Sequence, residues 1–97
     1  LVAEVIVSKN ADADLDRLVK FLATDEPVAA LETYDLLLGA LEILRAYPSI
    51  GRPVDGAMSE LVISRGSTGY VALYRFDAAG DVAVVLGIRH QREAGYA

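Results

Sequence analysis

The sequence predicts an α+β fold of order β-α-α-β-β-β, in which an N-terminal helical hairpin packs on one face of a small antiparallel sheet. Three observations lead to this prediction. Residues 4–8 are apolar and rich in β-branched side chains, residues 15–46 repeat leucines at helical spacing, and residues 60–89 contain three apolar runs separated by short turns. We expect residues 1–97 to form a single domain whose first strand joins the sheet at an edge.

The first helix is expected to begin at Ser8 or Asn10, because either side chain suits the N-cap position, and to end near Ala23. Acidic residues in its N-terminal half suit the positive end of the helix dipole. Four apolar residues recur along it at helical spacing: Leu15, Leu18, Val19 and Leu22.

The second helix is predicted to have Asp25 as its cap and Pro27 in its first turn, and to end near Ala46. Gly39 is expected to allow a close approach of the first helix. Three successive leucines at residues 36–38 cannot all face one direction on a helix. We favour ordinary amphipathic packing for this run, and any leucine there that the sheet does not cover would form an antitoxin or dimer surface.

A loop rich in glycine and proline is expected from residue 47 to about residue 57. Strands are predicted at residues 60–65, 70–76 and 82–89, joined by hairpin connections at residues 66–69 and 77–81.

Side-chain alternation in the last strand divides its residues between the two faces of the sheet. One set is bulky and apolar and is expected to face the helices: Val84, Leu86, Ile88 and His90. The other set is expected to face the open side of the sheet: Val85, Gly87 and Arg89.

Composition excludes several classes of protein. The chain has no cysteine, which rules out disulfides and thiolate zinc sites, and we expect no metal and no cofactor. No run is long and apolar enough for a membrane span, and the N-terminus lacks the features of a signal peptide, so a cytoplasmic location is expected. The sequence does not begin with Met, which indicates a trimmed chain.

The charge of the chain is unevenly distributed. Residues 1–44 carry nine acids and three bases, whereas residues 45–97 carry five acids and six arginines. Arginine forms planar, bidentate contacts with carboxylates and phosphates, so the C-terminal half is the expected recognition surface. The net charge of −5 disfavours non-specific binding of nucleic acid.

Three motifs span most of the chain in a characteristic order. They are Ala-Asp-Leu-Asp-Arg-Leu at residues 13–18, Pro-Ser-Ile-Gly-Arg-Pro at residues 48–53, and Tyr-Val-Ala-Leu-Tyr-Arg at residues 70–75 followed by Val-Val-Leu-Gly-Ile-Arg-His-Gln-Arg-Glu at residues 84–93. In this order they resemble the RelE/ParE superfamily of small bacterial toxins, and most closely its ParE-like, plasmid-stabilisation type.

The resemblance implies a toxin of a type II toxin–antitoxin system that is neutralised by a cognate antitoxin in a hetero-oligomer. Its ParE-like character implies a growth inhibitor that poisons DNA gyrase and has no catalytic site of its own. The acidic charge and the two lysines, both in the N-terminal half, favour this branch.

Two alternatives stay open. One is a ribosome-dependent mRNA endonuclease, whose reaction needs a base, an acid and cations around the phosphate. On that hypothesis the catalytic residues are His90, Arg89, Arg65 and Tyr96. The other is an inactive homologue that only binds antitoxin.

The arginines of the C-terminal half are the predicted contacts to antitoxin or target: Arg52, Arg65, Arg75, Arg89 and Arg92. Arg52 also has a structural interpretation, in which it holds loop carbonyls or an acid. We expect His90 to hydrogen-bond backbone at the strand end, and Tyr70 and Tyr74 to pack against the sheet or core.

Overall fold

The computed structural model describes residues 2–65, 68–93 and 95–96, with only the backbone of Arg65 and Thr68. The helices are α1 (Lys9–Ala23) and α2 (Pro27–Ala46). The strands are β1 (Glu4–Val7), β2 (Arg52–Asp55), β3 (Met58–Arg65), β4 (Thr68–Asp77) and β5 (Val82–His90).

The strands form one sheet in the order β1-β5-β4-β3-β2. The predicted fold class is confirmed, including the edge position of β1. The sheet is mixed rather than wholly antiparallel, because β1 pairs with β5 in parallel while the other pairs are antiparallel. Neither helix combines the length and apolarity that a membrane crossing requires, within the part of the chain that is described.

Helix α1 begins as predicted at Ser8, whose hydroxyl oxygen accepts a hydrogen bond from the Ala11 N–H at 3.1 Å. Asn10 has another role, since its side-chain amide donates to the Leu86 carbonyl at 3.1 Å. The start of α1 is therefore attached to the middle of β5.

Pro27 lies in the first turn of α2, as predicted, but the expected cap at Asp25 is wrong. The N-cap position is Glu26, and its side chain makes no capping hydrogen bond. The connection between the helices is short, and the N–H groups of Asp25 and Glu26 both donate to the Leu22 carbonyl at the end of α1. Asp25 therefore belongs to the end of α1 and lies too early to cap α2.

A second expectation for α2, the close helix approach at Gly39, is also wrong. A methyl group added at Gly39 would meet nothing within 4 Å, so this glycine faces solvent and allows no close helix contact. Leu37 is fully buried, and Leu36 and Leu38 are partly buried against the core. The leucine run is therefore packed into the domain, as the favoured amphipathic interpretation predicts.

The core lies between the helical hairpin and one face of the sheet. Its buried side chains include Leu15, Leu18, Leu37, Leu41, Leu44, Ile63, Tyr70, Tyr74, Val85 and Ile88. Neither of the two described helices packs on the opposite face of the sheet, which we call the open face.

Two features of the sheet differ from the predictions. The segment expected to be a loop contains β2, which pairs with β3 with Arg52 opposite Glu60. A bulge also interrupts β5, where Tyr74 pairs with Val85 but Leu73 pairs with Gly87.

Because of the bulge, Leu86 has no partner on β4. The residues of β5 before the bulge therefore face the opposite sides of the sheet from those that simple alternation predicts. The predicted faces of Val84 and Val85 were therefore wrong: Val85 is fully buried in the core, and Val84 lies on the opposite face. The prediction holds beyond the bulge, where Ile88 lies on the helix side and Arg89 on the open face.

Candidate functional site

A line of residues crosses the open face at the level of the bulge. Arg52 pairs with Glu60, Glu60 with Leu73, and Leu73 with Gly87, so that β2, β3, β4 and β5 each contribute one residue. Paired residues on adjacent strands share a face of the sheet. A buried carboxylate, that of Glu60, therefore lies in the middle of the open face.

Three side chains surround the Glu60 carboxylate. The Tyr96 hydroxyl donates to Oε2 at 2.7 Å, Arg52 Nη2 donates to Oε1 at 3.0 Å, and Arg89 Nη2 lies 3.9 Å from Oε2. We call these four residues the open-face cluster. The cluster joins the C-terminal tail, β2 and β5 to one acid of β3.

Electrostatics sets the protonation state of this cluster. The hydrogen bond from Tyr96, followed by the interactions with Arg52 and Arg89, lowers the pKa of Glu60 against the opposing effect of burial. Burial, and then the adjacent Glu60 carboxylate, raises the pKa of Tyr96 well above that of a free phenol. At neutral pH the pair is therefore a carboxylate and a neutral phenol.

The Tyr96 ring can approach the sheet because position 87 is glycine. A methyl group added at Gly87 would lie 3.1 Å from Tyr96 Cδ1 and 3.4 Å from Asp14 Oδ2. Both distances are tight, so the glycine provides the space in which the tail ring and the α1 carboxylate approach β5.

Arg89 holds the C-terminal turn. Its Nη1 donates to the carbonyls of His90 at 3.4 Å, Gln91 at 3.3 Å and Glu93 at 3.2 Å. Its guanidinium carbon lies 5.1 Å from the centre of the Tyr96 ring, within cation–π range. Only 19% of the side chain is exposed, and the buried Nε has no acceptor among the described residues. Arg89 thus lies on the predicted face, but its donors are mostly engaged within the chain.

His90 points to the other side of the sheet. Its ring packs edge-on against core residue Tyr70, with ring centres 5.2 Å apart. Its Nδ1 accepts a hydrogen bond from the Arg92 N–H at 3.1 Å, while its own N–H donates to Glu93 Oε1 at 2.8 Å. These contacts match the expected backbone-bonding role of the imidazole.

The candidate nuclease residues are therefore divided. Arg89 and Tyr96 lie together on the open face, and His90 lies on the helix side, because successive residues of a strand point in opposite directions. The side chain of Arg65 lies outside the described part of the structure.

The predicted recognition arginines are also dispersed. Arg52 pairs with Glu60, as the structural interpretation predicts, although 64% of its side chain is exposed. Arg75 is exposed and lies on the open face between Met58 and Val84. It forms no ion pair with any described residue.

The core packing predicted for Tyr70 and Tyr74 is confirmed, since both are buried in the core cluster. Tyr74 also explains the second motif. Its hydroxyl donates to the Pro48 carbonyl at 2.7 Å and accepts from the Gly51 N–H at 2.8 Å. A methyl group at Gly51 would lie 2.6 Å from the Tyr74 ring, so only glycine permits this contact.

Sequence reasoning missed two acids that organise the site, Glu60 and Asp14. Asp14 is 3% exposed; its Oδ2 accepts the Ile88 N–H at 2.9 Å, and its Oδ1 lies 3.6 Å from Arg17. Its position, three residues after buried Ala11 and one before Leu15, places it on the apolar face of α1, and this spacing was a usable signal. For Glu60 the signal was weaker, a lone acid at the start of an apolar strand.

Comparison with known proteins agrees with this architecture. Residues 5–95 match the family described as the ParE toxin of type II toxin–antitoxin systems, parDE. Toxin RelE3 of Caulobacter vibrioides is 36% identical over 89 residues, which cover 92% of this chain and 95% of that protein. Toxin RelE1 of the same organism is 39% identical over 71 residues, which cover 73% of this chain and 76% of that protein.

Two solved structures share the fold. One is the chromosomal ParDE toxin–antitoxin system of P. aeruginosa, with a TM-score of 0.75 and 22% identity over 91% of this chain and 95% of that chain. The other is the RelBE2 toxin–antitoxin complex of Mycobacterium tuberculosis, with a TM-score of 0.64 and 22% identity over 96% of this chain and 95% of that chain. From the family match and the identity to curated toxins, this chain belongs to the RelE/ParE family of type II toxin–antitoxin toxins.

Proposed function

We propose that this toxin is a cytoplasmic growth inhibitor that acts by binding DNA gyrase, and that a cognate antitoxin neutralises it by binding. The observation that carries the proposal is the open-face cluster. It resembles a structural network that holds the C-terminal tail more than a centre for acid–base chemistry.

Cleavage of RNA by in-line attack requires a base for the 2′-hydroxyl, an acid for the leaving oxygen and cations for the phosphate. In the cluster, the phenol of Tyr96 already donates its proton to Glu60. The Glu60 carboxylate would repel an entering phosphate, and its lowered pKa makes it a weak base. The single imidazole of the chain lies on the other face. A protein target does not require any of these groups to react.

Controlled expression without antitoxin tests the target. We expect growth arrest accompanied by induction of DNA-damage signalling, with transcripts intact, because a trapped gyrase complex breaks DNA. Growth arrest with cleaved transcripts on translating ribosomes and no damage signalling would contradict the gyrase target. Unimpaired growth in the presence of soluble, folded toxin would instead identify an inactive homologue.

A second candidate, the mRNA endonuclease, is favoured by one observation, the stacking of Arg89 on the C-terminal Tyr96 at 5.1 Å. An aromatic ring beside a guanidinium could hold a base and its phosphate. This candidate predicts that His90→Ala abolishes toxicity. If His90→Ala stays folded and arrests growth like the wild type, the catalytic role of His90 is excluded.

Antitoxin binding is proposed to use the arginines of the C-terminal half: Arg52, Arg65, Arg75, Arg89 and Arg92. Arg75 is the sharpest test on the open face, because no described acid neutralises it. Arg75→Glu should weaken the complex by about 2–5 kcal/mol if the guanidinium becomes buried against an acid, and by less than about 1 kcal/mol at a solvated rim. Lys9→Glu, the same charge change on exposed α1, is the matched control. Equal affinity of both variants would remove Arg75 from the interface.

A further inference from the structure

A cleft lies where α1 passes the end of β5, on the helix side of the sheet. It has a volume of about 460 Å³ and is lined by Arg17, Phe21, His90, Arg92 and Glu93. This volume is within the range of pockets that hold a ligand group of several atoms. None of these residues belongs to the open-face cluster.

Phe21 forms a solvent-exposed apolar wall of the cleft. Its side chain is 81% exposed, the highest exposure among the large hydrophobic residues described. It stands on α1 beside the charged residues of the C-terminal turn. Aromatic side chains with this much free surface are typical anchors of protein interfaces, because covering them removes a large apolar area from water.

The polar groups of the cleft are arranged to donate hydrogen bonds. His90 Nδ1 accepts from the Arg92 N–H, so the proton of the neutral imidazole is on Nε2, which has no acceptor among the described residues. The Arg92 side chain is exposed and forms no ion pair with any of them.

The one carboxylate in the cleft is already engaged. Glu93 Oε1 accepts from the His90 N–H at 2.8 Å, and Oε2 accepts from Arg17 at 3.1 Å. Both oxygens are therefore satisfied, and the pairing with Arg17 screens the charge that would repel an anion. The cleft combines an exposed aromatic wall with free N–H donors and a guanidinium.

We infer that this cleft binds a segment of the antitoxin that presents a carboxylate next to an apolar side chain. The apolar group packs on Phe21, and the carboxylate accepts hydrogen bonds from the Arg92 guanidinium and His90 Nε2. The inference rests on the proposed function, since it names a second attachment point for the antitoxin, on the face opposite Arg75. The overall charge of −5 makes a nucleic-acid strand a poorer occupant.

The test is the dissociation constant of full-length cognate antitoxin from full-length toxin, measured by calorimetry at two salt concentrations. The informative variants are Phe21→Ala and Arg92→Glu, and both change exposed side chains. Ile43→Ala is the apolar control, 45% exposed near the far end of the helical hairpin, and Lys9→Glu is the charge control. Circular dichroism verifies that each variant is folded.

We expect Phe21→Ala and Arg92→Glu each to weaken binding at least about tenfold, with the controls within about twofold of the wild type. The loss in Arg92→Glu should be larger at low salt, and neutralising the matching antitoxin acid should add little to it.

Two outcomes would overturn the inference and leave the proposed function intact. In one, the wild type binds and all four variants bind equally. In the other, only Arg92→Glu weakens binding, which would indicate general electrostatic attraction without insertion beside Phe21. Failure of wild-type toxin to bind antitoxin at all would overturn the antitoxin part of the proposed function together with this inference.

Discussion

The contact between Tyr96 and Glu60 allows the structural role of the open-face cluster to be measured. Tyr96→Phe removes only the hydroxyl and keeps the ring over Gly87 and beside Arg89. The lost hydrogen bond is short, 2.7 Å, and its acceptor is a carboxylate that is 10% exposed. Hydrogen bonds to charged groups contribute about 1.5–3 kcal/mol, and the partial exposure of Tyr96 places the expected loss near the lower value, about 1.5 kcal/mol.

The assay is urea unfolding of Tyr96→Phe, Glu60→Gln and the double variant. In the Glu60→Gln background, Tyr96→Phe should lower the free energy of unfolding by only about 0.5 kcal/mol, because a neutral amide is a weaker acceptor than a carboxylate. Tyr47→Phe is the matched control, since Tyr47 is 63% exposed, and its cost should be within about 0.5 kcal/mol of zero. If Tyr96→Phe costs no more stability than Tyr47→Phe, the cluster does not hold the tail.

Three further predictions concern stability. Thr33→Val should stabilise the protein by about 1 kcal/mol in urea unfolding, because the buried Thr33 hydroxyl has no hydrogen-bond partner among the described residues. A loss of stability would mean that the hydroxyl is satisfied. Gly39→Ala should add about 0.5–1 kcal/mol, since this helical glycine faces open space, and no gain in Tm would contradict its solvent-facing position. Because the pKa of Glu60 is lowered in the folded state, its contribution to the free energy of unfolding is present above about pH 4 and is lost as pH falls further. Between about pH 6 and pH 3 the free energy of unfolding should therefore decline less steeply in Glu60→Gln than in the wild type. Parallel curves for the two proteins would contradict this.

Local signals predicted most of the fold. Leucine spacing located both helices. The Ser8 cap could be predicted because an N-cap hydroxyl bonds a backbone N–H only a few residues further along the chain. The bulge at Leu86 could not be predicted from the sequence, because it depends on which residues of β4 pair with which residues of β5. A single extra residue reversed the predicted faces of Val84 and Val85.

The site was harder to predict because its contacts join residues far apart in the chain. Glu60 and Tyr96 are 36 positions apart, and Asp14 and Ile88 are 74 apart. The motifs identified Arg52 and Arg89 as important side chains, but only the fold shows that both approach the same carboxylate.

The most direct test of the central claim is the reaction of purified gyrase, supercoiled plasmid and ATP with wild-type toxin and with His90→Ala. We predict linear DNA, trapped on gyrase and released by protein digestion, with both toxins, and its disappearance when antitoxin is added. No linear DNA with folded wild-type toxin would contradict a gyrase target. If ribosome-bound mRNA were then cut by the wild type and spared by His90→Ala, the assignment would pass to the endonuclease.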